Sequence, residues 1–188
     1  MDSHAISQPS AWVARFAPLA PGGEVLDLAC GSGRHARHFA ALGHQVLAVD
    51  RDDAALAEAA GQGVTTMAFD LEDPALAWPF ARERFAAIVV TNYLHRPLFA
   101  QLAASLRPDG LLIYETFAIG NEAFGKPSNP AFLLEHGELL ALAAGMGLRV
   151  IAFEDGYTAA PKPAMVQRLC ACGPGFAWQN ARLAAASG

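Results

Sequence analysis

Val25-Leu26-Asp27-Leu28-Ala29-Cys30-Gly31-Ser32-Gly33-Arg34-His35-Ala36 is the stretch from which the rest of the chain can be read. Its first half is a run of apolar residues suited to a strand, and its second half opens a helix. Gly31 and Gly33 let the backbone reverse sharply and let a ligand approach closely. The helix that follows presents unpaired amides at its N-terminus, where the positive end favours a carboxylate or a phosphate. Gly31, Gly33 and Ala36 also satisfy the dinucleotide-binding pattern with alanine at its third position. The turn alone therefore leaves a nicotinamide-dependent oxidoreductase open.

Working outward, strands and helices alternate. A short helix over 10–17 leads in, and strands are expected over 24–29, 45–49, 64–69, 85–91 and 111–115. Helices fit 34–42, a stretch ending near residue 60, 98–106 and 138–144. Pro108-Asp109-Gly110 reads as a turn, and two closing strands fit 148–153 and 164–171. The order predicts an α/β fold, a doubly wound and mainly parallel sheet with helices on both faces. Such sheets bind ligands beyond the carboxyl ends of their strands, where strand order reverses. The length predicts one domain over residues 1–188.

Composition excludes several classes. Apolar residues make up 53% and charged residues 16%, which suits a folded core rather than disorder. No stretch approaches the roughly 20 strongly apolar residues of a membrane span. MDSHAISQPSAWVARF lacks a basic region followed by an apolar run, so a cytoplasmic location is expected. A formal net charge of −5 disfavours a nucleic-acid partner, whose binding leans on phosphate neutralisation. Cys30, Cys170 and Cys172 form no disulfide framework. His35 and His38 lie three apart with no further ligand in view and are expected on a solvated helix face. No metal site is expected.

Acids follow the strands where a ligand would lie. Asp50 closes the second strand, seventeen positions after Gly33, and a carboxylate there can accept from both hydroxyls of a ribose. Asp52 or Asp53 can cap the next helix, so Asp50 is free for that role. Replacing Asp50 by alanine is then expected to cost ligand affinity and little unliganded stability. Asp70 follows the third strand and can accept from an adenine amino group, with Leu71 packing on the ring.

Taken together, these positions resemble the class I S-adenosylmethionine-dependent methyltransferases. Residues 26–34 match their first motif closely, Asp50 fits the acidic second-motif position, and Asp70 fits the acidic adenine-side position. Thr91-Asn92-Tyr93-Leu94-His95 fits the fourth motif, and residues 106–112 resemble the turn before the fifth strand. Within the family the layout is most similar to the small tellurite-resistance-type branch. The resemblance implies a Rossmann-like sheet of seven strands whose last is antiparallel. It implies methionine contacts from Ala29, Cys30, Gly31 and Gly33, ribose contacts from Asp50, and adenine contacts from Arg51, Asp70 and Leu71. Asn92 would sit beside the sulfonium, and Asp27 would brace the turn.

The implied reaction is methyl transfer from S-adenosylmethionine to a small-molecule acceptor, with S-adenosylhomocysteine as product. A thiol, metalloid or amine acceptor needs little help, whereas a hydroxyl needs a base. His95 and Tyr93 are the candidates for catalysis, with Arg96, Tyr114 and Glu115 as further pocket residues. The irregular stretch 116–130, with Phe117 and Phe124 to cover a pocket and Gly120 and Gly125 as hinges, is expected to be a mobile cover. Two other readings stay open: an NAD(P)-binding oxidoreductase and a non-catalytic S-adenosylmethionine-binding protein.

Overall fold

Apolar residues alternate along the central strands and divide between two cores, one on each face of the sheet. The computed structural model describes residues 8–181. Its strands are β1 (Glu24–Leu28), β2 (Gln45–Asp50), β3 (Val64–Ala68), β4 (Phe85–Thr91), β5 (Leu106–Phe117), β6 (Arg149–Thr158) and β7 (Ala164–Cys172). Its helices are α1 (Ala11–Phe16), α2 (Arg34–Ala41), α3 (Asp53–Ala59), α4 (Phe99–Ser105) and α5 (Glu138–Gly145). Val25, Val46, Val89 and Ile113 face one core, which α1, α2 and α3 cover with Trp12, Phe39 and Leu56. Leu26, Leu47, Val90 and Leu112 face the other, which α4 and α5 cover with Leu102 and Leu139. No helix among the described residues is long and apolar enough to cross a membrane.

The seven strands lie in the order β3-β2-β1-β4-β5-β7-β6. β1 to β5 pair in parallel, and β7 runs antiparallel to both of its neighbours. This is the expected Rossmann-like, doubly wound sheet with an antiparallel last strand. Strand order reverses between β1 and β4, so the functional end lies beyond Leu28 and Thr91. The fifth strand begins earlier than expected. Leu106 already pairs with Phe85 ahead of a register shift. Gly110 and Pro108 accept from the amides of Gly173 and Gly175, at 2.9 and 2.8 Å. Donors from beyond β7 thus satisfy Pro108-Asp109-Gly110, which runs on as part of the strand.

His35 also departs from expectation. It is 1% exposed rather than solvated, because the chain entering α1 lies over it. Its Nε2 accepts from the Ser10 amide at 3.2 Å, and its Nδ1 lies 3.3 Å from Thr91 Oγ1. Burial holds the imidazole pKa down at about 3, so the ring is neutral and ties three separate segments together. Trp12 adds a second tie by donating to the Leu169 carbonyl at 3.2 Å.

Asp27 lies on the same face of β1 as Val25 and accepts from the Ala36 amide in the first turn of α2, at 2.8 Å. It therefore fixes the helix to the strand across the turn. Burial raises its pKa to about 7, with the Asp50 charge adding to the shift and the Ala36 bond opposing it. From roughly pH 4, the usual aspartate range, up to about 7, the folded chain keeps a proton that the unfolded chain has lost. Unfolding free energy should therefore fall as pH rises through that window. Thermal midpoints at pH 5 and pH 8 check this. The wild type should lose stability between them, and Asp27→Asn should lose much less. Equal losses would contradict it.

Candidate functional site

The site is built on the turn joining β1 to α2. Gly33 caps α2 with φ +74°, and a Cβ there would lie 2.5 Å from the Cβ of Ala59 on α3. Glycine at 33 is thus required by packing as well as by backbone. Gly31 has φ +52° and faces open space, the direction from which a ligand can reach the backbone. Ala29 adopts φ +53°, a conformation that L-residues with a Cβ rarely take. Asn92 at the end of β4 has φ +55°. Backbone strain of this kind clusters at ligand sites.

Asp50 holds the turn from the neighbouring strand. Its Oδ2 accepts from the Gly31 amide at 2.8 Å, its Oδ1 from the Asp52 amide at 3.1 Å, and its carbonyl from Phe69 at 2.9 Å. Asp52 itself caps α3 by accepting from Ala54 and Ala55, as expected. Each carboxylate oxygen of Asp50 keeps one acceptor direction for a diol. The brace means that Asp50 also supports the unliganded fold, which the sequence reading had not included. Cys30 lies beside Asp27 and Asp50, and burial pushes its thiol pKa up.

Two cavities open at this end of the sheet. A smaller one of about 220 Å³ is lined by Ala29, Asp50, Arg51, Asp70, Leu71 and Tyr93, among others. Its acceptors and apolar walls suit a nucleoside. Asp70 Oδ1 accepts from the Glu72 amide at 3.0 Å, which fixes the carboxylate at the cavity. The Tyr93 hydroxyl is buried with no partner among the described residues, and burial beside Glu72 and Asp70 raises its pKa.

The larger cavity, about 770 Å³, is lined by Ser10, Arg34, Asn92, Glu115, Phe117 and Phe124, among others. Asn92 and Tyr93 are adjacent in sequence yet line different cavities, so the end of β4 divides the two. Glu115 is 7% exposed and pairs with Arg168 through Oε2 at 2.6 Å, leaving Oε1 with no donor among the described residues. Sequence reasoning ranked it below His95. Its position directly after an apolar strand run was the signal that identified it. His95 lines neither cavity; it opens the short helix over Arg96–Leu98 without a side-chain capping bond. Arg96 points to Glu138 at 2.6 Å, and Tyr114 donates to the Tyr93 carbonyl at 2.9 Å. Both are structural here.

The segment expected to be a cover is only partly free. Ala118 and Ile119 donate to Met165 and Leu134, both at 2.9 Å. The buried Asn121 side chain donates to the Pro127 carbonyl and accepts from the Met165 amide. Gly120 is therefore no hinge. Phe124 is exposed and packs on Tyr157, with ring centroids 5.2 Å apart.

Residues 25–110 match the family model described as a methyltransferase domain. A search of curated protein sequences returns no match. Among solved structures, TehB from Haemophilus influenzae aligns with a TM-score of 0.69 at 16% identity, over 86% of this chain and 61% of that one. This chain thus spans under two thirds of TehB. An S-adenosylmethionine-dependent methyltransferase from Mesorhizobium loti aligns at 0.66 and 18%, over 85% and 95%. The Burkholderia thailandensis 1,6-didemethyltoxoflavin-N1-methyltransferase, solved with bound 1,6-didemethyltoxoflavin and S-adenosylhomocysteine, aligns at 0.62 and 22%, over 86% and 76%.

Two measurements test this geometry. Asp50→Ala should lower unliganded stability by about 1–2 kcal/mol, the scale of losing bonds to a charged acceptor; an unchanged urea midpoint would contradict the brace. Amides of Ala118, Ile119 and Asn121 should exchange slowly without ligand and those of Lys126 and Ser128 quickly. Uniformly fast exchange would contradict the pinning.

Proposed function

We propose that this chain is an S-adenosylmethionine-dependent methyltransferase that moves a methyl group to a small-molecule nucleophile by in-line displacement, a reading supported by the methyltransferase-domain match over residues 25–110 and by the fold. The observation that carries the reading is the pair of cavities divided by Asn92 and Tyr93. One suits a nucleoside, and the other has room for a small acceptor. The substrate of the Burkholderia neighbour is also a small molecule.

In this reading Asp50 accepts from the ribose hydroxyls, while Arg51, Asp70 and Leu71 surround the adenine. The turn from Ala29 to Gly33 holds the methionine part, braced by Asp27, and Asn92 stands where the two cavities meet. The layout of the motifs along the chain supports placing it near the tellurite-resistance-type branch, and the fold likeness to TehB accords with that.

S-adenosylmethionine supplies a methyl group already activated on a sulfonium. The protein's own work is alignment and exclusion of water. Residues 122–126 close over the acceptor, while residues 118–121 and Pro127, which Asn121 holds, stay fixed. Glu115 offers Oε1 to the acceptor and takes its proton where the nucleophile carries one. This assignment replaces His95, which lies off both cavities. Tyr93 serves the nucleoside side.

Calorimetry tests the reading. S-adenosylmethionine and S-adenosylhomocysteine should both bind, and Asp50→Ala should weaken binding by about 1–3 kcal/mol. Firm binding of a nicotinamide dinucleotide with neither sulfur ligand would overturn it.

A further inference from the structure

The chain contains two lysines, Lys126 and Lys162, and both line the larger cavity. They arrive from separate connections, one after β5 and one between β6 and β7. Each precedes a proline, Pro127 and Pro163, which restricts its backbone towards extended conformations. Both side chains are exposed, and neither forms an ion pair among the described residues. Arg34 and Arg168 add two more cations to the lining. The one carboxylate among the lining residues, Glu115, is paired with Arg168, which also reaches Glu154 at 3.0 Å. A cavity with this excess of positive charge, in a chain of net charge −5, concentrates anions against the field of the whole molecule.

On the reading of this cavity as the acceptor site, we propose that the acceptor carries an oxyanion, a carboxylate or a phosphate, held by Lys126 and Lys162. Its nucleophilic atom then points towards Asn92 and Glu115. Arg34 follows the glycine turn directly and is kept for the carboxylate of the methionine part. The proposal makes specificity electrostatic at the exposed end of the cavity and positional at the buried end. It also makes acceptor binding sensitive to salt, because both lysines are open to solvent.

Having only two lysines makes a direct test feasible. Reductive ¹³C-methylation keeps the lysine charge and yields two lysine signals, assigned with Lys126→Arg and Lys162→Arg. The protein saturated with S-adenosylhomocysteine is titrated with benzoate, with inorganic phosphate and with neutral benzamide. Both signals should shift together and saturably with benzoate or phosphate, and the arm that saturates identifies the oxyanion. Benzamide should shift neither. By calorimetry, the double variant Lys126→Gln/Lys162→Gln should bind that anion about tenfold more weakly, as two exposed ion pairs contribute, and keep S-adenosylhomocysteine affinity unchanged. No saturable shift with either anion, equal shifts with benzamide, or loss of S-adenosylhomocysteine affinity in the double variant would overturn the proposal. A wild type that fails to bind S-adenosylhomocysteine would instead overturn the methyltransferase reading beneath it.

Discussion

The hydrogen bond from the Gly31 amide to Asp50 Oδ2, 2.8 Å long, is the constraint on which the functional end depends. It ties the turn after β1 to the end of β2. Asp27 makes the matching tie from β1 to the first turn of α2. Between them the two carboxylates fix a backbone with three left-handed residues in succession of function: Ala29, Gly31 and Gly33. Each such residue other than glycine costs about 1 kcal/mol or more, so the turn persists only because its surroundings over-determine it. The same two acids put negative charge under the turn. Burial, with the charges of both acids adding to it, raises the Cys30 thiol pKa, and the Asp50 charge adds to the burial that raises the pKa of Asp27.

A turn held this way is organised before any ligand arrives. Binding then loses less free energy to ordering. The buried His35 extends the arrangement to the larger cavity. Its neutral ring joins the Ser10 amide to Thr91, which immediately precedes Asn92. Ser10 and Asn92 both line the larger cavity. The chain entering α1 and the end of β4 are thereby locked to each other across the larger cavity. Burial of His35 and Thr91 stiffens this link, because breaking it leaves buried polar groups unsatisfied.

Most of the parallel strands were legible because β1, β2, β4 and the second half of β5 are short, largely apolar runs, and the strand ends pointed to Asp50, Asp70 and Asn92. What escaped the sequence was long-range. Asp50 as a brace depends on the Gly31 amide nineteen positions away. The burial of His35 depends on Ser10, twenty-five positions away. Helical spacing alone cannot reveal that another segment covers that face. The extension of β5 through Pro108 depends on donors from beyond β7. Likewise, the sequence shows two lysines each before a proline, yet only the pairing of β5 with β7 and β7 with β6 brings them to one cavity. His95 was favoured because it follows a strand closely. The chain turns at Asn92, and the short helix at Arg96–Leu98 takes His95 away from both cavities.

A crystal structure with S-adenosylhomocysteine bound tests the central claim most directly. The ribose hydroxyls should lie within hydrogen-bond distance of Asp50 while the Gly31–Asp50 bond is retained, with adenine against Leu71 and the thioether beside Asn92. A ligand lodged elsewhere, or one that binds only after the Gly31–Asp50 bond breaks, would contradict the account of a turn organised in advance for this cofactor.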